Sequence, residues 1–156
     1  MNVIFLDIDG VLNTERFQLY QIKNHEADAY YCCFNFDPIC MKNLKYLVET
    51  YKCKIVISST WRYGGKENNK YWDAIINNLK EYKIEQEVVD MTPVLHSKRG
   101  YEIQKWIDNN KVDKFVIIDD DDDMVHLKQY LAKCDYKTGL NKEVKEKCIK
   151  ILESDK

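Results

Sequence analysis

Residues 3–13 read VIFLDIDGVLN. Val3 to Leu6 run without a break into Asp7 and Asp9, and Gly10 follows at once. A short β-branched and apolar run with no helical period predicts a strand buried on both faces. Its carboxyl end delivers two carboxylates to one spot. Such charges repel each other, so the fold needs either a positive group between them or a chemical use for one of them.

Two later runs repeat the pattern. "CKIVISS" (residues 53–59) and "DKFVII" (113–118) read as buried strands, ending in Ser58-Ser59-Thr60 and Asp119-Asp120. Asp37-Pro38 opens a helix that carries Leu44, Leu47, Val48 and Tyr51 on one face, with proline in its first turn. "YWDAIINNLKEY" (71–82) repeats Trp72, Ile75, Ile76 and Leu79 at helical spacing, and Arg99 to Asn109 does the same with Ile103, Trp106 and Ile107. "QEVVDM" (86–91) is a strand candidate, "MVHLKQYLAK" (124–133) a helix, "CDYKT" (134–138) an edge strand, and 142–153 a closing amphipathic helix. Residues 14–36 are polar and aromatic without a clear period and read as a short irregular insertion. Strands alternating with helices predict one α/β domain over residues 1–156 with a mostly parallel sheet.

Composition narrows the function. The chain has 156 residues, 45% apolar and 32% charged, with a net charge of −2. That is an ordinary globular balance, without the basic field that announces nucleic-acid binding. No apolar run approaches the ~20 residues that span a bilayer. The first segment turns acidic too soon for a signal peptide, which makes the expected location cytoplasmic. The six cysteines (Cys32, Cys33, Cys40, Cys53, Cys134 and Cys148) form no C-x-x-C pair, and His25, His96 and His126 lack zinc spacing. Reduced thiols and no zinc site are expected. Of the 24 basic residues, all but Arg16, Arg62 and Arg99 are lysine.

In a parallel α/β sheet, ligands bind beyond the carboxyl ends of the strands. There the sequence places Asp7 and Asp9, Ser58 and Ser59, Asp119 and Asp120, with Lys98 and Arg99 entering a neighbouring helix. Clustered carboxylates suit Mg²⁺, a hard ion that binds through a few carboxylates plus phosphate. Hydroxyls and a lysine or arginine suit phosphate oxygens. Asp7, with an unperturbed pKa near ~3.9, is ionised at neutral pH and can serve as nucleophile without a base. Asp9 can then donate a proton to the leaving group and take one from water. Gly10 allows a tight turn beside them. Arg16 and Arg62 fall just past the first and second strand ends, which suggests a substrate rim shared with Arg99.

"DIDGVLN", "SSTW", the Lys98-Arg99 step and "IIDDDDD" resemble, in order, the four motifs of the haloacid dehalogenase (HAD) superfamily of phosphatases. More narrowly, the chain resembles the small HAD domain of Swiss Army Knife RNA repair proteins. The resemblance implies a three-layer α/β/α Rossmann-like core with a minimal or absent cap, and Mg²⁺ as cofactor. It implies Asp7 as nucleophile and Asp9 as acid/base. It also implies Ser59, in preference to Ser58, on the transferring phosphoryl group. Asp120 would complete the metal site beside Asp7 and the Asp9 carbonyl, with Asp119 as its neighbour. The third motif usually offers a lysine; here Lys98 and Arg99 both qualify.

Several residues carry plainer expectations. Asp121 to Asp123 read as a solvated helix start, and Trp61, Trp72 and Trp106 as core. Tyr20, Tyr30, Tyr31, Phe34 and Phe36 read as packing for the insertion, with base stacking as a second use. A receiver domain has its acidic pair and phosphate acceptor in the reverse strand order, and intact Asp7 and Asp9 argue against an idle phosphate-binding module. The expected substrate is a phosphomonoester, on a nucleotide or nucleic-acid end, with small metabolites and phosphoproteins as alternatives.

Overall fold

A computed structural model describes residues 1–29 and 34–155; Tyr30, Tyr31, Cys32 and Cys33 lie outside the described residues. The first strand, β1 (Asn2–Leu6), is the centre of a five-stranded sheet in the order β3-β2-β1-β4-β5, with all neighbours parallel. The others are β2 (Cys53–Ile57), β3 (Val88–Met91), β4 (Lys114–Asp119) and β5 (Leu131–Lys133). The unbroken apolar run of β1 follows from this position, because each face meets a different core. Ile4 and Leu6 join Ile55, Ile57, Val116 and Ile118 on one side. Val3 and Phe5 join Val56, Phe115 and Ile117 on the other.

Helices α2 (Pro38–Tyr51), α3 (Lys70–Glu81) and α5 (Lys142–Glu153) supply apolar stripes to the first core, through Leu44, Ile75 and Val144 among others. Helix α4 (Arg99–Asp108) covers the second with Ile103 and Trp106. The result is a three-layer α/β/α sandwich. Side-chain caps fix where the helices begin: Asp37 accepts from the Ile39 N–H, Asn69 from Tyr71 and Trp72, and Asn141 from Val144. Each satisfies an amide that the helix itself leaves unpaired. The four described cysteines, Cys40, Cys53, Cys134 and Cys148, are buried free thiols. Among the described residues no helix is long and apolar enough to cross a membrane.

Three expectations need correction. The stretch read as irregular contains α1 (Glu15–Lys23), capped by Thr14. Its apolar residues are too sparse for a stripe, and the only residue it buries is Gln21. The expected helix at 124–133 is a 3-10 turn, Val125–Tyr130, followed by the edge strand β5. Leu127 and Leu131 mimic a helical repeat, but Leu131 and Ala132 pair with Ile117 and Ile118 of β4. The edge of β4 offers ladder partners that a helix here would leave unmet. "CDYKT" is then a turn, with the Thr138 and Gly139 amides donating to the Asp135 carbonyl.

α4 approaches the loop after β4 very closely. A Cβ on Gly100 would stand 2.1 Å from the Met124 carbonyl oxygen. Alanine is favoured over glycine inside a helix by about 1 kcal/mol, but forcing atoms into filled space costs about 1–3 kcal/mol. Gly100→Ala should therefore lower Tm by several degrees in a thermal melt. An increase, as helix propensity alone would give, would contradict this packing.

Candidate active site

Backbone pairing continues past the ends of the strands and gathers the site. The Asp7 N–H donates to the Ile118 carbonyl and the Ser58 N–H to the Leu6 carbonyl, both at 3.0 Å. Asp7, Ser58 and Asp119 are thereby held side by side. Alternation along the strands sets them in the rows of Phe5, Val56 and Ile117, on the face that α4 covers. Arg99, the first residue of α4, reaches over this row. Its Nη1 lies 3.7 Å from Asp7 Oδ1 and 3.5 Å from Asp119 Oδ2. Carboxylate oxygens of Asp7, Asp119 and Asp120 come within 4.8 Å of one another.

Local structure explains how such a cluster is held. Residues 8–13 fold into a tight loop in which the amides of Val11, Leu12 and Asn13 all donate to the Ile8 carbonyl. Gly10 sits in the left-handed region (φ +77°), and a Cβ there would lie 2.3 Å from Asp120 Oδ2. Glycine is required both for the turn and for the carboxylate packed against it. Asp9 is held by its own pair of donors: Asn13 Nδ2 donates to its Oδ1 (3.2 Å) and Trp61 Nε1 to its Oδ2 (2.9 Å). The Asp121 N–H holds Asp119 Oδ1 (3.0 Å), while Asp119 Oδ2 is buried without a hydrogen-bond partner.

Burial raises the Asp7 carboxyl to about 6, although Arg99 pulls the other way. Burial and the adjacent Asp7 push Asp119 higher still. Two acids that resist losing their protons, at the mouth of a parallel sheet, mark a place where positive charge belongs.

The predicted residues divide clearly. Asp7, Ser58, Arg99, Asp119 and Asp120 converge, and Asp9 borders them. Lys98 is exposed and precedes α4 without capping it through its side chain, so Arg99 is the cation over the carboxylates. Ser59 Oγ accepts from the Trp61 N–H (3.1 Å) and caps the turn Thr60–Arg62. Ser58 Oγ is buried with no hydrogen-bond partner. Arg62 is not a rim residue: its side chain is fully buried and bonded to backbone carbonyls and Glu102. Its place in the sequence, just past β2, could not tell inward from outward. Arg16 pairs with Asp37, the cap of α2, tying α1 to that helix rather than facing the carboxylates. Asp123 does serve a helix start, but that of α4: its Oδ2 accepts from the Arg99 N–H and its carbonyl from the Gly100 N–H.

Sequence reading missed the residues that support this constellation. Trp61 is buried as expected, but its indole N–H also fixes Asp9. Buried tryptophans need such a partner, and that was the available signal. Asn13 stands four residues after Asp9 in the quoted motif, and Glu102 three residues after Arg99 on one helix face.

A cleft of about 600 Å³ opens beside Asp9 and Asp120. Phe34, Trp61 and Tyr71 form one wall, with ring centroids 5.1–6.1 Å apart. Tyr136, Glu15 and Gln18 also line it. The Glu15 and Arg16 amides donate to the Tyr136 and Lys137 carbonyls, fastening the start of α1 to the Tyr136 loop. Tyr20 stacks on Phe17 (5.6 Å) and Phe36 is buried in the core; neither lines the cleft.

The family model described as the HAD domain in Swiss Army Knife RNA repair proteins matches residues 3–144. No curated protein and no solved structure matches the chain. The match runs from β1 into α5 and takes in every element that builds the site. On that match, the five parallel strands and the acids at their carboxyl ends, the chain belongs to the HAD superfamily, in the family of HAD domains found in Swiss Army Knife RNA repair proteins.

Proposed function

We propose that this chain is a Mg²⁺-dependent phosphomonoester hydrolase that works through an aspartyl-phosphate on Asp7. The observation that carries the reading is the cluster of Asp7, Asp119 and Asp120, with the Arg99 guanidinium directed between two of them. A metal ion fits these residues. The donors are all carboxylate oxygens, Asp119 Oδ2 is buried without a partner, and Gly10 leaves the space that the Asp120 carboxylate fills. Hard oxygen donors favour Mg²⁺ over zinc. Asp7, Asp120 and Asp119 are the side chains that would hold it, and it would neutralise charge on the phosphoryl oxygens.

The protein's own residues carry the bond changes. Asp7 attacks phosphorus, the bond from phosphorus to the ester oxygen breaks, and Asp9 passes its proton to the departing alkoxide. Water then attacks the phosphorus of the acyl phosphate, and Asp9 takes the proton that water loses. Phosphate leaves and the Asp7 carboxylate returns. Arg99 Nη1 and Ser58 Oγ, both buried without a hydrogen-bond partner, are the donors for phosphoryl oxygens. Ser58 takes this role in place of Ser59 because it lies in the row of Asp7 and Asp119 beneath Arg99, whereas Ser59 is one step of the pleat away and caps its turn.

For the substrate, we propose a terminal phosphate on a nucleotide or nucleic-acid end. The description of the matching family and the aromatic cleft beside Asp9 support it. With Arg62 buried and Arg16 bound to Asp37, no arginine remains to hold a second phosphate in that cleft. Recognition should thus rest on stacking of the terminal base against the exposed rings of Tyr71 or Tyr136, worth about 1–3 kcal/mol per base.

Two tests follow. Folded acids with raised pKa values keep protons that the unfolded chain releases, so the metal-free fold loses stability as pH rises from the ordinary aspartate value through about 6 and beyond. Mg²⁺ should replace those protons. At a hundred times Kd it should stabilise the fold by about 2.7 kcal/mol, or roughly 5–10 °C in Tm. The gain should be larger at pH 8 than at pH 5, and phosphate release should stop with chelator. Equal melts with and without Mg²⁺ at pH 8 would remove the metal from this site. As to substrate, nucleoside monophosphates and short oligonucleotides with a terminal phosphate should exceed sugar phosphates in kcat/KM by about tenfold or more, the size of one stacked base. Tyr136→Ala should narrow that gap. A panel won by sugar phosphates or phosphopeptides would overturn the substrate and leave the reaction standing.

A further inference from the structure

Arg62 is the largest fully buried side chain among the described residues. A guanidinium has five N–H donors, and here each finds an acceptor. Nε donates to the Thr92 carbonyl (2.9 Å), and Nη1 to the Ser58 and Ser59 carbonyls (2.8 and 2.9 Å). Nη2 donates to the Pro93 carbonyl (3.2 Å) and to Glu102 Oε1 (3.0 Å). One side chain thus ties together the loop after β2, the loop after β3, and α4.

Glu102 is the hinge between this clamp and the site. Its Oε2 accepts from the Leu95 N–H (2.8 Å), and its Oε1 is shared unequally between two arginines. Arg62 holds Oε1 at hydrogen-bond distance, whereas Arg99 Nε stands 3.8 Å away. The far end of Arg99 is the Nη1 that lies between Asp7 and Asp119 without a hydrogen-bond partner. Arg99 is therefore steadied from behind but not consumed by the acid behind it.

We propose that the buried Arg62–Glu102 pair is a positioning device, in which Arg62 restrains the Glu102 carboxylate so that Arg99 keeps Nη1 for a phosphoryl oxygen. The inference rests on the reading of this site as a phosphoryl-transfer centre. Glu102 and Arg99 are three apart on one helix and free to pair closely. Without Arg62, the buried carboxylate would have Arg99 as its nearest cation and would draw the guanidinium back from Asp7. Because Arg62 also holds the Ser58 and Ser59 carbonyls, the same clamp sets the distance between the Ser58 hydroxyl and the Arg99 cation.

A double-mutant cycle separates positioning from plain structural support. Arg62→Met with Glu102→Leu removes both charges together, a change that buried pairs often tolerate because neither partner is left alone. Affinity for inorganic phosphate is read by calorimetry in the presence of Mg²⁺. Arg99→Ala should lose about tenfold or more, the worth of one charged hydrogen bond. Arg62→Met alone should lose a similar factor, because Glu102 is then left to draw Arg99 back. The Arg62/Glu102 variant should regain most of it with its fold intact. In the Arg99→Ala background, Arg62→Met should cost nothing more. In hydrolysis of an aryl phosphate, the rise in KM of Arg62→Met should exceed its fall in kcat.

Glu102→Asp, which keeps the charge but withdraws it from Arg62 by one methylene, is the milder second variant and carries the test if Arg62→Met, with its partner left alone in the core, does not fold. It should lose several-fold in phosphate affinity. Wild-type phosphate affinity in folded Arg62→Met and Glu102→Asp, no recovery on adding Glu102→Leu to Arg62→Met, or losses that simply multiply with Arg99→Ala, would overturn the positioning role. Failure of the wild-type chain to hydrolyse any phosphomonoester would instead overturn the proposed reaction, and the cycle in phosphate affinity would still be readable.

Discussion

Three carboxylates crowd the carboxyl edge of one sheet, and their mutual repulsion is the constraint around which the rest is arranged. Asp7 and Asp119 end adjacent parallel strands whose register leaves them no room to separate. In a buried setting two such acids cannot both hold a negative charge without a cation close by. The chain supplies one from the helix that covers this face, on the first residue of α4. Asp123 caps that helix, and Gly100 lets it settle against Met124. Gly10 makes room for the third carboxylate, that of Asp120.

A buried ion pair is a costly way to brace a cation. Removing two charges from water costs several kcal/mol per ion, and an apolar pair of similar size is often as stable or more so. The Arg62–Glu102 pair is therefore poorly explained as a source of stability alone. Its full set of acceptors offsets the cost of desolvation, and its position between two loops and α4 makes geometry its natural benefit. Burying one charge to keep another uncommitted and correctly aimed fits the proposed phosphoryl-transfer site.

Much of this was legible in the sequence, for identifiable reasons. The apolar runs at 3–6, 53–57 and 114–118 admit few readings besides buried strands, and parallel topology then sends their polar ends to one edge. Asp7, Asp9, Asp119 and Asp120 followed directly. The choice between Ser58 and Ser59, or Lys98 and Arg99, did not, because it turns on a single step of pleat or helix that spacing leaves open. Arg62 misled for the same reason: one turn past a strand end can point to solvent or into the core, and only the carbonyls around it decide. β5 was mistaken for helix because Leu127 and Leu131 are four apart, a spacing that the need to pair the edge of β4 overrode.

The central claim is that Asp7 carries the phosphoryl group in transit. It is tested most directly by mixing the protein and Mg²⁺ with a radiolabelled phosphomonoester, quenching in acid within one turnover and mapping the bound label. The account predicts an acyl phosphate, released by hydroxylamine, on the peptide that contains Asp7, and none in a folded Asp7→Asn variant. Rapid hydrolysis without any acyl phosphate, or label on Asp9, Asp119 or Asp120 instead, would contradict it.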